Sequence, residues 1–423
     1  MLQKTISAFL GAIALIPLSS AIHAETELEL KLESGFSNNA NKTNKANAIK
    51  ERQDVVTARI KSSRINSTSS AIVDYSIEHE NYSKDSQENE TNLEGSASAR
   101  FNLSPNLKVN LNHSAKRLIN NPSETAISNN LQNRNIFSAS VDAKFHVTPL
   151  QVVTVTPSLA AIRYSDDNNQ DSDRATLDMS WVWRLQEKSR IKINLQNSEI
   201  DYRSAANQSY QQLTLGYERE NRLLTYSAEA GVNRFTTSSG SKNGPYFNLQ
   251  ATYDNQGHKF SINARRQLTD TSFGNGNQNL TSSSNIDSAG TNIDQIEQDS
   301  FILSYSSRLL CVRCSFKAQT EFKDETHVNN PQESLNERII ASSIRYLLNE
   351  RSNLSSSISL KATEYKQGDS RDFDELSARL GYELSLSKAS SLELFSEYET
   401  KDASQPINDY SELIFGLSFI YRL

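Results

Sequence analysis

The chain ends in the segment YSELIFGLSFIYRL, Tyr410 to Leu423, in which every second residue is apolar. Successive side chains of a β-strand point to opposite faces, so this segment has one face that is wholly aromatic or aliphatic. The other face is mixed and includes small residues such as Gly416 and Ser418. Chain termini are usually exposed and frayed, so a soluble protein seldom ends on a bare apolar strand. The apolar face carries Leu413, Phe415, Leu417, Phe419, Tyr421 and Leu423.

The same alternation continues back through the chain. About twenty segments of roughly ten residues follow it from Thr26 onward, beginning with Leu28, Leu30 and Leu32. Outside residues 1–24 there is no apolar run of about 18 residues, so the sequence predicts no membrane-spanning helix. A mean hydropathy of -0.60 is compatible with a membrane barrel, because only alternate residues of its strands face lipid. We therefore predict an all-β fold, a closed antiparallel transmembrane β-barrel of about 20 strands, within roughly 18 to 22.

The connections between these segments alternate in length. Short turns such as Ser104 to Asn106 and Thr148 to Pro149 alternate with longer polar stretches such as Ser37 to Glu51 and Thr236 to Gly244. The two ends of a membrane barrel meet different compartments, so this order predicts short periplasmic turns and longer extracellular loops. The longest stretch, Thr269 to Gln298, is rich in Asn, Ser and Gly, and it either folds inward as a constriction or forms an outer flap.

The first residues have the organisation of a secretory signal. A short basic start is followed by the uncharged stretch Ile6 to Leu18 and then by small residues. We expect cleavage after Ala24, with Ala21 as the alternative, and therefore a signal peptide at 1–24 and one barrel domain at 25–423. Export of such a barrel implies the bacterial outer membrane, where lipid and lipopolysaccharide are its expected partners. The 44 Lys and Arg against 50 Asp and Glu argue against nucleic acid as a partner.

The closing strand resembles the carboxy-terminal signature of bacterial outer-membrane β-barrels. The resemblance rests on the alternating residues Phe419, Tyr421 and Leu423 at the end of the chain. It implies that these three side chains form an assembly signal and that the outer-membrane barrel assembly machinery reads it as a partner.

The face opposite the apolar one is rich in Ser, Asn, Gln and Thr, with charges of both signs mixed in. A ring of one sign would indicate ion selection, whereas this mixture is typical of a wet lumen with low charge selectivity. The alternative is that these residues are the ordinary solvent-facing residues of a β protein. The charged candidates for the lumen lining are Arg59, Arg100, Lys144, Arg184, Lys192, Glu229, Arg265, Glu321 and Arg379.

The two cysteines, Cys311 and Cys314, lie in a predicted short periplasmic turn. In an oxidising compartment such a pair most simply forms a disulfide that clamps its turn. A redox dithiol would need a thioredoxin-like helix start, and a zinc site would need two further ligands nearby. The sequence supports neither alternative.

His113 and Ser114 are the only adjacent histidine and serine in the chain, and they have a faint similarity to the pair of outer-membrane phospholipases. The neighbouring residues do not match that family. Adjacent residues on a strand point to opposite faces, so these two cannot act together as base and nucleophile. No other histidine sits in a catalytic or metal-binding motif, and we expect no enzymatic activity, no cofactor and no metal site.

The hairpins in the middle of the chain share a recurring style. Trp181 to Leu185 leads into Arg190 to Leu195, and Leu213 to Tyr217 leads into Tyr226 to Gly231. The opening stretch Leu32 to Asn38 fits the same style. This style is similar to that of the outer-membrane β-barrel porins found with exopolysaccharide or capsule loci. The resemblance lies in the spacing of apolar and polar residues and not in particular side chains, so it assigns no functional residue. It implies a passive channel or an accessory protein linked to surface polysaccharide.

Three hypotheses for the function follow. The leading one is an outer-membrane channel or porin-like protein whose water-filled lumen passes polar solutes or surface polysaccharide. The second is a closed-lumen adhesin, scaffold or accessory protein of polysaccharide export that acts through its loops. The third, which the sequence favours least, is an outer-membrane hydrolase that depends on His113 or Ser114.

Overall fold

Twenty antiparallel strands close into one barrel in the computed structural model of the chain. Each strand pairs with the next along the chain, and β20 pairs with β1, so the sheet closes on itself. The expected signal peptide at 1–24 lies outside the described residues. The structure describes residues 25–165, 170–238, 240–271, 293–308, 310–367 and 371–423. The strands are β1 (Glu25–Ser37), β2 (Glu51–Ile65), β3 (Ser69–Tyr82), β4 (Glu90–Ser104), β5 (Leu107–Ile119), β6 (Leu131–Thr148), β7 (Gln151–Tyr164), β8 (Ser172–Gln186), β9 (Ser189–Tyr202), β10 (Gln208–Glu220), β11 (Leu224–Thr237), β12 (Gly240–Asn255), β13 (His258–Asp270), β14 (Gln295–Ser307), β15 (Cys314–His327), β16 (Leu335–Asn349), β17 (Ser352–Tyr365), β18 (Phe373–Ser385), β19 (Ser390–Ala403) and β20 (Tyr410–Arg422).

The seam between β1 and β20 explains how the end of the sequence closes the barrel. Leu32 lies opposite Phe419, so the apolar face of the last strand continues directly into that of the first. The backbones of Leu28 and Leu423 exchange two hydrogen bonds, of 3.2 and 2.8 Å. Phe415 and its neighbours on this face remain exposed on the outside of the barrel. The prediction of a closed antiparallel barrel of about 20 strands is confirmed.

The two ends of the barrel differ in their connections. At one end, which we call the turn end, strands join through short turns such as 105–106 and 256–257. At the other end, which we call the loop end, the connections include 38–50, 120–130 and 271–294. Both termini of the barrel lie at the turn end, where β1 begins and β20 finishes. The predicted order of short turns and longer loops is therefore confirmed, except at the connection between β11 and β12.

The strands are longer than the sequence predicted, and one predicted loop is wrong. The shortest strands have 13 residues and the longest, β6, has 18. The stretch Thr236 to Gly244, expected as a loop, is mostly strand, because β11 runs to Thr237 and β12 begins at Gly240. About ten tilted residues suffice to cross a bilayer. The strands therefore continue beyond the apolar belt, where polar side chains on both faces hide the alternation.

Pro157 lies inside β7. On the β6 side, the pairing joins Ser140 to Ser158 and then Ala143 to Val155. The ladder is interrupted between these pairs, where Pro157 has no N–H to donate. The barrel thus accommodates a proline within a strand at the cost of one local gap in pairing.

Helical structure in the described residues is confined to single 3-10 turns within loops. None of these helices is long and apolar enough to cross a membrane. The three turns are Ser128–Asn130, Pro331–Glu333 and Pro406–Asn408.

Buried apolar side chains concentrate inside the barrel near the loop end. Ile136 and Ile200, for example, occupy the positions along their strands that elsewhere carry polar residues. They belong to clusters formed by strand residues next to the loops, on the strands that enter a loop and on those that leave it. Burial of this kind stabilises the inward packing by about 1.5 to 3 kcal/mol per large side chain. The clusters are Leu118, Ile136, Ile162 and Tyr164; Ile200, Tyr202, Tyr210, Phe235 and Leu268; and Leu335, Tyr365, Phe373 and Ala403.

Near mid-height, Phe395 of β19 lies flat against the inner wall. It is paired with Gly416 of β20, where an added Cβ would overlap the phenyl ring. Gly416 in turn pairs with Gly35 of β1, so two residues without side chains are neighbours on adjacent strands. The guanidinium of Arg379 lies over the same ring, 4.4 Å from its centroid. These glycines therefore let an aromatic ring lie close to the backbone.

Candidate functional site

The predicted lumen residues lie on the inner face of the barrel. Arg59 of β2 makes two hydrogen bonds of 2.8 Å to Asp74 of β3. Arg379 of β18 lies 3.0 Å from Glu397 of β19 and 3.8 Å from Glu33 of β1. Because β19 and β20 separate β18 from β1, Arg379 and Glu33 meet through the interior. The polar face of the strands is therefore the inner one.

The other predicted lumen residues follow the same face without converging on one site. Lys192 lies 4.0 Å from Glu229, and Glu321 accepts a hydrogen bond of 3.4 Å from Gln319. Arg100 is held by a neighbouring asparagine. The structure thus distributes these charges along the wall. Within the described part of the chain, no carboxylate lies within 4.0 Å of Lys144, Arg184 or Arg265.

His113 lies on the outer face of the barrel. Its Nδ1 contacts the hydroxyl group of Tyr75, and its ring stacks on Phe137 with 4.1 Å between centroids. Ser114, the next residue of β5, pairs with Ser96 on the opposite face. The two side chains cannot meet one substrate, so the geometry gives no support to the hydrolase hypothesis.

A loop from one side of the barrel reaches the other side at the loop end. This loop, residues 120–130 between β5 and β6, we call the mouth strap. The backbone carbonyl oxygens of Pro122 and Glu124 each accept a hydrogen bond of 2.8 Å from the Nζ of Lys401 on β19. Along the wall, β5 and β19 are six strands apart, which is roughly 30 Å at about 4.8 Å per strand. The mouth strap therefore crosses the mouth of the barrel.

Lys401 is almost fully enclosed in this contact, with 2% of its surface exposed. Its Nζ lies 3.5 Å from Glu375 and 4.0 Å from the ring centroid of Phe373. Asn408 adds a second anchor, because its Nδ2 donates to the carbonyl oxygen of Ser123 at 3.1 Å. Both anchors act on backbone carbonyl groups, so they depend on the path of the strap and not on its side chains.

The loop 38–50 fills the mouth beside the strap. Lys42 lies 2.6 Å from Glu399 and 3.8 Å from Glu412. Burial lowers the pKa of Lys42, but the two carboxylates outweigh it and hold the pKa well above its ordinary value. The lysine is therefore a permanent positive charge that ties this loop to β19 and β20.

The loop 83–89 links the other two loops to each other. The side-chain amide of Gln87 donates to the carbonyl oxygen of Ala40 at 2.6 Å, and its oxygen accepts from the backbone N–H of Ser128 in the mouth strap at 3.1 Å. The backbone N–H of Lys84 donates to the buried carboxylate of Glu51 at 2.6 Å. The three loops thus form one hydrogen-bonded layer.

The hairpin of β13 and β14 bends inward at the loop end. The pairing of β13 with β12 stops at Arg266, although β13 continues to Asp270. Asp270 forms a buried ion pair of 2.5 Å with Arg174 of β8, and because four strands separate β8 from β13 this contact crosses the interior. Of the two alternatives for the stretch Thr269 to Gln298, the described stem folds inward. Residues 272–292 lie outside the described residues.

Asp294 fixes the second leg of this hairpin. Its carboxylate accepts hydrogen bonds from the backbone and the side-chain amide of Asn329, at 2.9 and 2.7 Å, and from the backbone of Asn330 at 2.9 Å. The Nδ1 of His327 lies 3.4 Å away. Burial raises the pKa of Asp294, but the His327 contact and the backbone donors outweigh it, so the pKa is below its ordinary value. The carboxylate thus ties the hairpin stem to the connection between β15 and β16.

At the turn end, a disulfide joins Cys311 and Cys314 in the connection between β14 and β15. Val312 between them is fully exposed. Among the described residues, no group of three His, Cys, Asp or Glu side chains is placed to hold a metal ion. The role of Phe419, Tyr421 and Leu423 as an assembly signal stays a prediction.

Sequence reasoning identified the polar face but missed the loops that pack across the mouth. Lys401, Asp270 and Asp294 were not candidates, because their partners are far away in the sequence. The signal that could have found the closure is the break in alternation at Ile136 and Ile200, where apolar residues take polar-face positions. Apolar residues at inward-facing positions indicate that the interior is packed with side chains there and not filled with water.

Comparison with solved structures finds the same architecture. A substituted form of the ferric enterobactin receptor PfeA from Pseudomonas aeruginosa is 11% identical with a TM-score of 0.52, covering 95% of this chain and 81% of that chain. A second substituted form of PfeA is 10% identical with a TM-score of 0.52, covering 96% and 81%. OccK5 from the same species is 10% identical with a TM-score of 0.40, covering 94% and 98%. No protein-family profile and no curated protein matches the chain. At these identities the likeness to PfeA shows the fold alone: the chain has the β-barrel fold of that receptor.

Proposed function

We propose that this protein is an outer-membrane channel, exported by the signal peptide at 1–24, whose lumen is shut at the loop end in the conformation described above. The observation that carries this proposal is the contrast between the two faces of the wall. Leu159 and Leu215 are 66% and 58% exposed on the outside, where lipid would cover them. The inner face carries ion pairs such as Arg59 with Asp74, which suit a wet interior.

Polar solutes are the general cargo of this channel, and surface polysaccharide is the specific cargo we propose. The similarity of the hairpins to barrels found with exopolysaccharide or capsule loci supports the polysaccharide. The position of the closure fits transport outward, because the loops and the inward hairpin lie at the loop end and a solute that enters at the turn end meets them last. It leaves only when the mouth strap moves away from Lys401.

The second candidate is a closed-lumen adhesin, scaffold or accessory protein of polysaccharide export. The closed mouth favours it specifically, since three loops and an inward hairpin already fill the loop end. In that case the layer of loops is the functional surface, and the interior serves only to hold it in place.

Conductance of the refolded protein in planar bilayers separates the two candidates. A channel should give discrete openings, which become more frequent when Lys401→Met releases the strap. A scaffold should give no conductance in either form. Liposome swelling with oligosaccharides then tests the cargo, and a protein that stays soluble without detergent after removal of the signal would contradict both candidates.

A further inference from the structure

Four cations near the turn end form a positive patch on the inner face. We call Arg100, Lys108, Lys144 and Arg184 the basic patch; they lie on β4, β5, β6 and β8. Each occupies a polar-face position close to a short turn: Arg100, Lys144 and Arg184 lie within five residues of a strand end, and Lys108 is the second residue of β5. None of the four is buried. The basic patch is therefore open to a solute that approaches through the turn end.

The cations of the basic patch have no carboxylate within 4.0 Å among the residues that the structure describes. Arg100 donates instead to the neutral Asn110 at 2.9 Å. Lys108 lies opposite Asp142 in the sheet, but that carboxylate accepts hydrogen bonds from Asn110 at 3.0 Å and from Thr156 at 3.0 Å. Asp142 is therefore one negative charge within the patch that forms no ion pair with it, and the four cations leave the patch with a net positive charge.

The cations on the wall from β16 through β20 and β1 to β3 behave differently. Between β16 and β3, most inward-facing Lys and Arg side chains have a carboxylate partner on their own strand or a nearby one. A wall whose positive and negative charges are paired does not favour anions over cations. A patch with a net positive charge attracts anions. The ion pairs on that wall are Arg59 with Asp74, Arg345 with Glu383, Arg379 with Glu397, Arg422 with Glu29, and Lys31 with Glu33.

The spacing of the basic patch indicates the size of its ligand. Arg100 pairs with Asn110, two residues from Lys108, and Lys108 pairs with Asp142, two residues from Lys144. With about 4.8 Å between strands and about 3.4 Å per residue, each step is roughly 8 Å. From β4 to β8 the patch covers about 19 Å of wall. One small anion cannot contact all four cations, but an extended chain of repeating negative charges can.

We propose that the basic patch is the docking site for an acidic polysaccharide that approaches from the turn end. This inference rests on the proposed function, since it names the class of polysaccharide that the channel accepts. Carboxylate or sulfate groups repeated along the polymer would pair with successive cations of the patch. Each exposed charge contact changes affinity by about 1.5- to 5-fold, so the four together give roughly 5- to 600-fold.

The test is equilibrium binding of two probes to the mature protein in detergent, by titration calorimetry. The probes are oligogalacturonate, which is acidic, and maltoheptaose, which is neutral. We expect the acidic probe to bind more tightly and to weaken at least about tenfold between low and high salt, since salt screens exposed charges. The patch variant should lose at least about fivefold in affinity for the acidic probe and show no change with the neutral one. The patch variant is Arg100→Gln, Lys108→Gln, Lys144→Gln and Arg184→Gln.

The matched control removes the same number of positive charges from exposed positions outside the patch. Its affinity for the acidic probe should stay within about twofold of the wild type, because these lysines lie in loops and turns. Equal loss in the control and in the patch variant would overturn the docking site. The control variant is Lys45→Gln, Lys50→Gln, Lys188→Gln and Lys388→Gln.

Two further readouts make every outcome decisive. Lys108→Arg with Lys144→Arg keeps the charge and should keep the affinity; if the patch variant fails to fold, Lys144→Gln alone should still lose a few-fold. Equal binding of acidic and neutral probes to the wild type overturns the docking site and leaves the channel intact. Failure of both probes to bind overturns the docking site as well, and loss of conductance in the same preparation marks the failure of the proposed function itself.

Discussion

Substitution of Lys401 by Met should open the mouth of the barrel. The lysine holds the mouth strap through the carbonyl oxygens of Pro122 and Glu124, both at 2.8 Å. Met has a similar length and keeps the contact with Phe373, but it cannot donate a hydrogen bond. The change therefore removes the anchor of the strap while it leaves the wall of the barrel in place.

The size of the effect follows from the two bonds that are lost. A hydrogen bond to a charged group contributes about 1.5 to 3 kcal/mol net, so two of them contribute at least about 3 kcal/mol to the closed state. A shift of about 3 kcal/mol changes the ratio of open to closed channels by roughly 100-fold. Asn408→Ala removes one neutral bond of 3.1 Å to Ser123, worth about 1 kcal/mol, and should shift the ratio only about fivefold.

Single-channel recording measures this ratio directly as the open fraction. Lys388→Met is the control, because this lysine is exposed in a turn at the other end of the barrel. A disulfide between Ser123→Cys and Asn408→Cys, in a variant without Cys311 and Cys314, should hold the strap closed until it is reduced. If Lys401→Met and Asn408→Ala both leave the open fraction of the wild type unchanged, the strap does not control the mouth.

Three further predictions concern the stability of the wall and the hairpin. Because the folded pKa of Asp294 lies below its ordinary value of 3.8, its stabilisation is present at neutral pH and is lost as pH falls below 3.8 and through the folded pKa. Hydrogen exchange at residues 293–298 should be slower in the wild type than in Asp294→Asn at pH 7, and the difference should shrink progressively as pH falls below 3.8. Gly416→Ala should lower the unfolding free energy by about 1 to 3 kcal/mol through overlap with Phe395, and Phe395→Leu in the same chain should restore part of it, as measured by denaturant unfolding. Replacement of Cys311 and Cys314 by Ser should lower the unfolding free energy by only about 2 kcal/mol, because the closed loop is short, and should leave the open fraction unchanged.

The wall of the barrel was predictable because its physical cause is local. A lipid-facing residue must be apolar at every second position, so Leu28, Leu30 and Leu32 identify their strand without knowledge of any partner. The short turns were visible for the same reason. The prediction failed at Thr236 to Gly244. There the strands extend beyond the lipid, so the outward-facing residues need not be apolar and the alternation is lost.

The closed mouth was not predictable from the sequence because each of its contacts joins distant segments. Lys401 is an ordinary inward-facing lysine until the loop 120–130 brings two carbonyl oxygens to it. Asp270 and Arg174 are likewise unremarkable charges until the hairpin bends across the interior. Alternation reports which face a residue occupies, and it contains no information about which strand lies opposite. The interior of the loop end therefore depends on tertiary packing that periodicity cannot encode.

The energetics also decide which part of the closure moves. Withdrawal of the hairpin of β13 and β14 would expose the cluster around Phe235 and Leu268. The free-energy cost would be about 1.5 to 3 kcal/mol for each of its five large side chains. It would also break the buried pair of Arg174 and Asp270, which costs roughly 3 to 5 kcal/mol when one partner is lost. Release of the mouth strap breaks polar contacts that water can replace, worth about 3 kcal/mol at Lys401. The hairpin is therefore a fixed wall of the closed mouth, and the strap is the element whose displacement opens it.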